Sequence, residues 1–199
     1  MSPRKIAVAV GALFVFQMVS AIFGNALTQE FIAGASGKTA LTAGVALSIS
    51  SGLAVVGIGL LSYQVLKGFN RKLARWYPIM RIAECTVVTA CALYLLIQLQ
   101  AVPNTMLWVY IPTGIGGLVF TYLLFVSRIV PRSIALLGFA GYVLLLLGVP
   151  LELLGVLDTD TMPGMLMLAP GGLFEVLVLP VWLFVKGFTL PQPARVRTA

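Results

Sequence analysis

Six stretches of this chain are each long and apolar enough to cross a lipid bilayer, and the segments between them are too short to fold alone. A spanning helix needs about 20 apolar residues, and the stretches at about 6–27, 41–66, 78–100, 105–127, 133–156 and 165–187 meet that length. In lipid every backbone N–H and C=O must bond within the protein, which at these lengths means helices. The expected fold is therefore all-α: one domain over residues 1–199, an integral membrane bundle of six transmembrane helices, with 188–199 as a cytoplasmic tail. Charged residues make up 10% of the chain. A soluble domain carries roughly 25%, so the expected solvent for the surface is lipid.

The charges that remain are sorted by gap. Arg4 and Lys5 precede the first stretch; Lys67, Arg71, Lys72 and Arg75 follow the second. Arg128 and Arg132 follow the fourth, and Lys186, Arg195 and Arg197 lie at or beyond the end of the sixth. The alternate gaps hold Glu30 with Lys38, then no charge, then Asp158 with Asp160. Basic residues concentrate on the cytoplasmic side of membrane proteins, so the pattern predicts six helices with both termini in the cytoplasm, as in a bacterial inner (plasma) membrane. The net charge of +7 is thereby accounted for by topology and anionic lipid headgroups. No nucleic-acid partner is expected, because the basic residues are not carried on a polar domain. The start MSPRKIAVAVGALFVFQ, with small residues at Gly24-Asn25-Ala26, also has the form of a signal peptide. A retained first helix is the expectation.

Other chemistry is thin. Histidine is absent, which removes the commonest general base and metal ligand. Cys85 and Cys91 are about 9 Å apart along a helix axis and on different faces, so they read as small apolar fillers. No metal site and no cofactor is expected. Trp76, Tyr77, Trp108, Tyr110 and Trp182 fall near the ends of the stretches, where amphipathic rings prefer the headgroup level. Lys67-Gly68-Phe69 and Lys186-Gly187-Phe188 end two helices alike: a snorkelling lysine, a helix-ending glycine and an interfacial ring. The second stretch is dense in small residues, including a Ser48–Gly52 pair, and should form a central, closely packed helix. Pro112 with Gly114, Gly116 and Gly117 predicts a kink in the fourth.

Three charges sit where they are expensive. A charge at mid-membrane costs about 2.5–3.5 kcal/mol on insertion scales. At 1.5 Å per residue, Glu175 lies about 15 Å in, Glu84 about 9 Å from the inner face and Arg81 about 4–5 Å from it. Glu152 is near an outer end and can reach water. Arg81 and Glu84, three apart, share a helix face; Arg81 can pair with Glu84 or reach toward Glu175. Two readings follow: an ionic lock that fixes the bundle, or a polar cavity that takes a proton, an ion or a headgroup. An unpaired Glu175 would hold a proton, since an apolar medium disfavours the charged form. Pro170-Gly171-Gly172 just before it can break the last helix, leaving free amides beside the acid in the manner of transporter helices; a simple proline kink is the other possibility. Tyr94, Tyr122, Tyr142, Thr86, Thr89, Thr121 and Gln98 are expected to bond between helices or to line a cavity.

Three segments together carry a resemblance: Tyr77-Pro78-Ile79-Met80-Arg81-Ile82-Ala83-Glu84; Ser127-Arg128-Ile129-Val130-Pro131-Arg132 with Gly138 and Gly141-Tyr142; and Pro170-Gly171-Gly172-Leu173-Phe174-Glu175 through Trp182 to Lys186-Gly187-Phe188. With these the chain resembles a bacterial membrane family known as domain of unknown function 4386. The resemblance implies the same six-helix bundle and no particular activity. It falls on Arg81, Glu84, Arg128, Arg132, Glu175 and Lys186.

Three function classes stay open. One is a protein that binds or moves a small solute, proton or lipid through an intramembrane polar site formed by Arg81, Glu84 and Glu175. Another is an intramembrane acid-catalysed isomerase or cyclase of a lipid or isoprenoid, with Glu84 or Glu175 as the acid. Pro150-Leu151-Glu152 bears faintly on the latter, against the missing histidine and metal motifs. The last is a non-catalytic assembly subunit, with a membrane-protein partner or a second copy on its small-residue faces.

Overall fold

The computed structural model of the chain describes residues 2–157 and 161–189. Asp158, Asp160, Arg195, Arg197 and all but the start of the 188–199 tail lie outside the described residues. The elements are α1 (Pro3–Ile32), α2 (Lys38–Leu66), α3 (Arg71–Ala74), α4 (Trp76–Gln98), α5 (Thr105–Ser127) and α6 (Arg132–Leu153). Then come α7 (Met162–Leu173), a π-helical segment (Phe174–Val178) and α8 (Leu179–Val185), which together make the sixth span. Six helices are long and apolar enough to cross a membrane. Large apolar side chains such as Phe23, Leu53, Ile97 and Val185 face outward around the bundle, and Ile97 is 72% exposed. Apolar surface on this scale has no place in water, so the protein is a multi-pass membrane protein.

Local chemistry sets the ends. Ser2 caps α1 through Oγ, which accepts from the Lys5 N–H at 3.4 Å, and Pro3 fills the first turn, where no N–H is needed. Asn70 caps the short α3 through Oδ1. Gly34 and Gly187, both at φ 74°, take the left-handed position that closes α1 and α8. Gly68 does not, so the expected likeness between the ends of the second and sixth spans is partial: Phe69 is exposed and Phe188 buried.

The helices form a ring in chain order. α1 packs on α2, α2 on α4, α4 on α5, α5 on α6 and α6 on α7; α8 returns to α1 and closes the ring. Glycines set the closeness of the seams. A Cβ on Gly44 would come within 2.9 Å of Thr28, and one on Gly24 within 3.0 Å of Ser48, so α1 and α2 nearly touch. On the other side of α2, Gly52 receives Cys85 and Gly59 receives Arg81 and Pro78 of α4. The close packing expected of the second span is thus observed, but α2 is one member of the ring and not a central helix. The α8–α1 seam is tied by Arg4, whose Nη2 donates to the Phe184 carbonyl at 2.6 Å, a cation satisfying a helix C-terminus.

Several expectations are corrected. Tyr77 is no interfacial anchor: it is fully buried and stacks on Phe120, ring centroids 4.4 Å apart. Tyr94 and Tyr122 face outward. The hydroxyls of Thr86 and Thr121 bond to carbonyls four residues back on their own helices, at 2.9 and 2.7 Å. Of the polar groups expected to bond between helices, Tyr142 does so. The glycines of α5 serve packing: Leu146 meets Gly114, Met80 meets Gly116 and Tyr142 meets Gly117.

The last span is not broken at Pro170-Gly171-Gly172. α7 continues through all three residues, and the irregularity begins four residues after Pro170 as the π segment, where the Leu179 N–H reaches the Phe174 carbonyl five residues back. Pro180 explains the shift. It has no N–H, and in a tight α-helix its ring would crowd the carbonyl of Val176. Widening the preceding turn relieves that clash, and the extra residue in the turn re-aims the side chains beside it. Gly171 serves packing instead. It lies directly against the backbone of Gly141 and so brings α7 onto α6.

Candidate functional site

The widened turn carries Glu175, and α4 carries Arg81 and Glu84. α4 starts at Trp76 instead of the expected 78, so these two lie about 3 Å further from the helix start than the sequence suggested. α5 separates α4 from α6 in the ring, so groups from α4, α6 and the π segment meet across the interior of the bundle.

Arg81 is at the centre and 1% exposed. Its Nη1 donates to Glu84 Oε2 at 2.7 Å, and its Nη2 donates to Glu175 Oε1 at 3.1 Å. Both contacts are ion pairs. The Tyr142 hydroxyl donates to Glu175 Oε1 and lies 3.4 Å from Arg81 Nη2. Beneath the guanidinium is the Tyr77 ring, its centroid 5.2 Å from the Arg81 Cζ, within the range of a cation–π contact.

Each side chain is seated by its neighbours. Gly59 of α2 makes room for the Arg81 stem: a Cβ there would lie 3.1 Å from Arg81 Cβ and 3.2 Å from Cγ. Tyr77 is held by Phe120 of α5. Tyr142 lies over Gly117 and meets Phe174 edge-on, centroids 6.1 Å apart. Phe174, directly before Glu175, fills the notch at Gly138. Glycines on three helices thus make room for the arginine and for the aromatic frame in which the charges sit.

Sequence reasoning brought out Arg81, Glu84 and Glu175, and the structure brings all three together. It missed Tyr77 as the ring under the arginine and did not single out Tyr142 as the donor to Glu175. The room for the Tyr142 ring comes from Gly117 on another helix, a pairing that local spacing in the sequence does not display. Arg128, Arg132 and Lys186 are not part of the cluster. They are found at helix ends, on the end of the bundle that also holds Arg4. Glu152 is half-buried near the end of α6. Cys85 and Cys91 carry free thiols. Among the described residues no group of three or more carboxylates, thiols and imidazoles is placed to hold a metal.

Tyr142→Phe keeps the ring on Gly117 and Phe174 and removes only the hydroxyl. The loss of a hydrogen bond to a charged acceptor should cost about 1.5–3 kcal/mol. Unfolding of the detergent-solubilised protein would measure it. A change below about 0.5 kcal/mol, the floor for an ordinary hydrogen bond, would mean that this bond contributes nothing.

A ring of spanning helices around a buried arginine, two carboxylates and two tyrosines defines a polytopic α-helical membrane protein with an internal charged centre. The family model described as domain of unknown function (DUF4386) matches residues 9–187, and the chain belongs to that family. No curated protein and no solved structure matches it.

Proposed function

We propose that the Arg81–Glu84–Glu175–Tyr142 cluster is a binding site for one proton or one monovalent cation, through which the protein binds or moves a small solute or lipid across the inner membrane. The observation that carries this is a charge count. One arginine faces two carboxylates, so the fully ionised cluster has one negative charge too many. An uncompensated charge at membrane depth is expensive. The closed bundle is balanced once a proton or a cation joins the cluster, and loss of that charge favours opening toward water. The π segment adds support, because such turns recur at functional sites. The same contacts weigh against an acid catalyst, since Arg81 engages both candidate acids. The alternation of basic and non-basic gaps supports cytoplasmic termini.

Infrared spectroscopy of the protein in lipid nanodiscs tests the count. The wild type should show a protonated-carboxyl band in sodium- and potassium-free buffer. Both Glu84→Gln and Glu175→Gln should remove it, because a single carboxylate then balances Arg81. A wild type without such a band under these conditions would sink the proton form. Competition of the band by sodium or potassium would identify the cation form. In proteoliposomes, Glu175→Gln should abolish a proton flux that the wild type supports.

A further inference from the structure

A second polar feature lies apart from the cluster, at the basic end of the bundle. The α5–α6 connection, the end of α8 and the chain after it border a cavity of about 340 Å³ that opens widely to the surface, lined by Arg128, Val130, Pro131, Arg132, Trp182 and Thr189. From this cavity we infer a binding site for a phosphate ester, with the phosphate held by Arg128 and Arg132 and its organic part against Val130, Pro131 and the Trp182 ring.

The parts suit that chemistry. Two guanidiniums with no carboxylate in the lining select an anion, and arginine forks match phosphate oxygens. α6 starts at Arg132 after Pro131 without a side-chain cap, so its first amides and its positive dipole end face the same region. The site is also built into the fold. Arg128 takes a left-handed backbone, φ 55°, that turns the chain sharply after α5. The Thr189 N–H then donates to the Ile129 carbonyl at 2.9 Å, tying the chain after α8 to the cavity wall. Arg132 is steadied by the Phe125 ring, 5.0 Å from its Cζ.

The size favours an ester over free phosphate. At about 340 Å³ the cavity is within the range of small-molecule sites, and inorganic phosphate would leave its apolar side empty. A membrane lipid headgroup and a soluble phosphate share the recognised group, and a binding experiment tells them apart.

The full chain in detergent is titrated by native mass spectrometry with short-chain phosphatidylglycerol, with diacylglycerol of the same chain length, and with inorganic phosphate. Saturable binding of phosphatidylglycerol with none of diacylglycerol is the expected result. Competition by inorganic phosphate at equal or lower concentration would assign the site to a soluble phosphate; competition only at large excess would assign it to the lipid. Arg128→Gln and Arg132→Gln should each weaken binding about tenfold, or 1.4 kcal/mol. Arg128→Lys should weaken it less, and it serves as the variant if the glutamine forms do not fold. Arg71→Gln/Arg75→Gln removes two charges from the same end but outside the cavity, and should leave the affinity unchanged. Equal binding of diacylglycerol, or an equal loss in the Arg71/Arg75 variant, would overturn the site.

Discussion

Arg81→Met should destabilise the protein by about 3–5 kcal/mol, the cost of removing one partner from a buried ion pair. The side chain is fully buried, and the two carboxylates it engages would face each other without a counter-charge. The methionine fills much of the stem's volume against Gly59, so the loss would come from charge and little from packing. Neutralising the acids in the same chain, as Arg81→Met/Glu84→Gln/Glu175→Gln, should recover most of the loss, because a neutral trio no longer needs the arginine. Unfolding titrations of the solubilised variants give both numbers. A single variant within about 1 kcal/mol of wild type, or a triple variant no better than the single, would mean that the cluster is not held together by charge.

Two neighbouring glycine seams should give opposite results. Gly141→Val would push a side chain into the backbone of Gly171, which has no rotamer to escape through. α6 and α7 would have to separate, at about 3 kcal/mol or more, and Tyr142 and Glu175 would part with them. Gly172→Ala, one residue from the contact, meets open space. Alanine is the better helix former, by up to about 1 kcal/mol, so this variant should be neutral or slightly more stable. Thermal unfolding of the pair separates the effects. Equal behaviour of the two would remove Gly141 as the point of closest approach.

How far the sequence carries can be read from particular residues. The six spans were legible because about 20 uninterrupted apolar residues have a single stable form in lipid, and α5 occupies 105–127, the expected range. Arg81, Glu84 and Glu175 were legible for the complementary reason: at membrane depth a charge stands out. Tyr77 was misread because an amphipathic ring at a helix end fits either an interface or a buried stack, and Phe120, far away in sequence, decides between them. The π turn of the last span was missed because Pro170 drew attention from Pro180. A proline disturbs the turn before it, and the more consequential disturbance lies just ahead of the later one.

The order of the ring has a consequence for how the protein is made. Each span leans on the one synthesised before it, so most seams can form as the chain emerges. The closing seam joins residues 180 apart, where Arg4 meets Phe184. The charged centre is divided in the same way. Arg81 and Glu84 are three residues apart on one helix and form a neutral pair. Glu175 reaches Arg81 from 94 residues downstream. A growing chain can therefore insert its costly arginine already neutralised, and the surplus acid arrives only with the helix that shuts the ring.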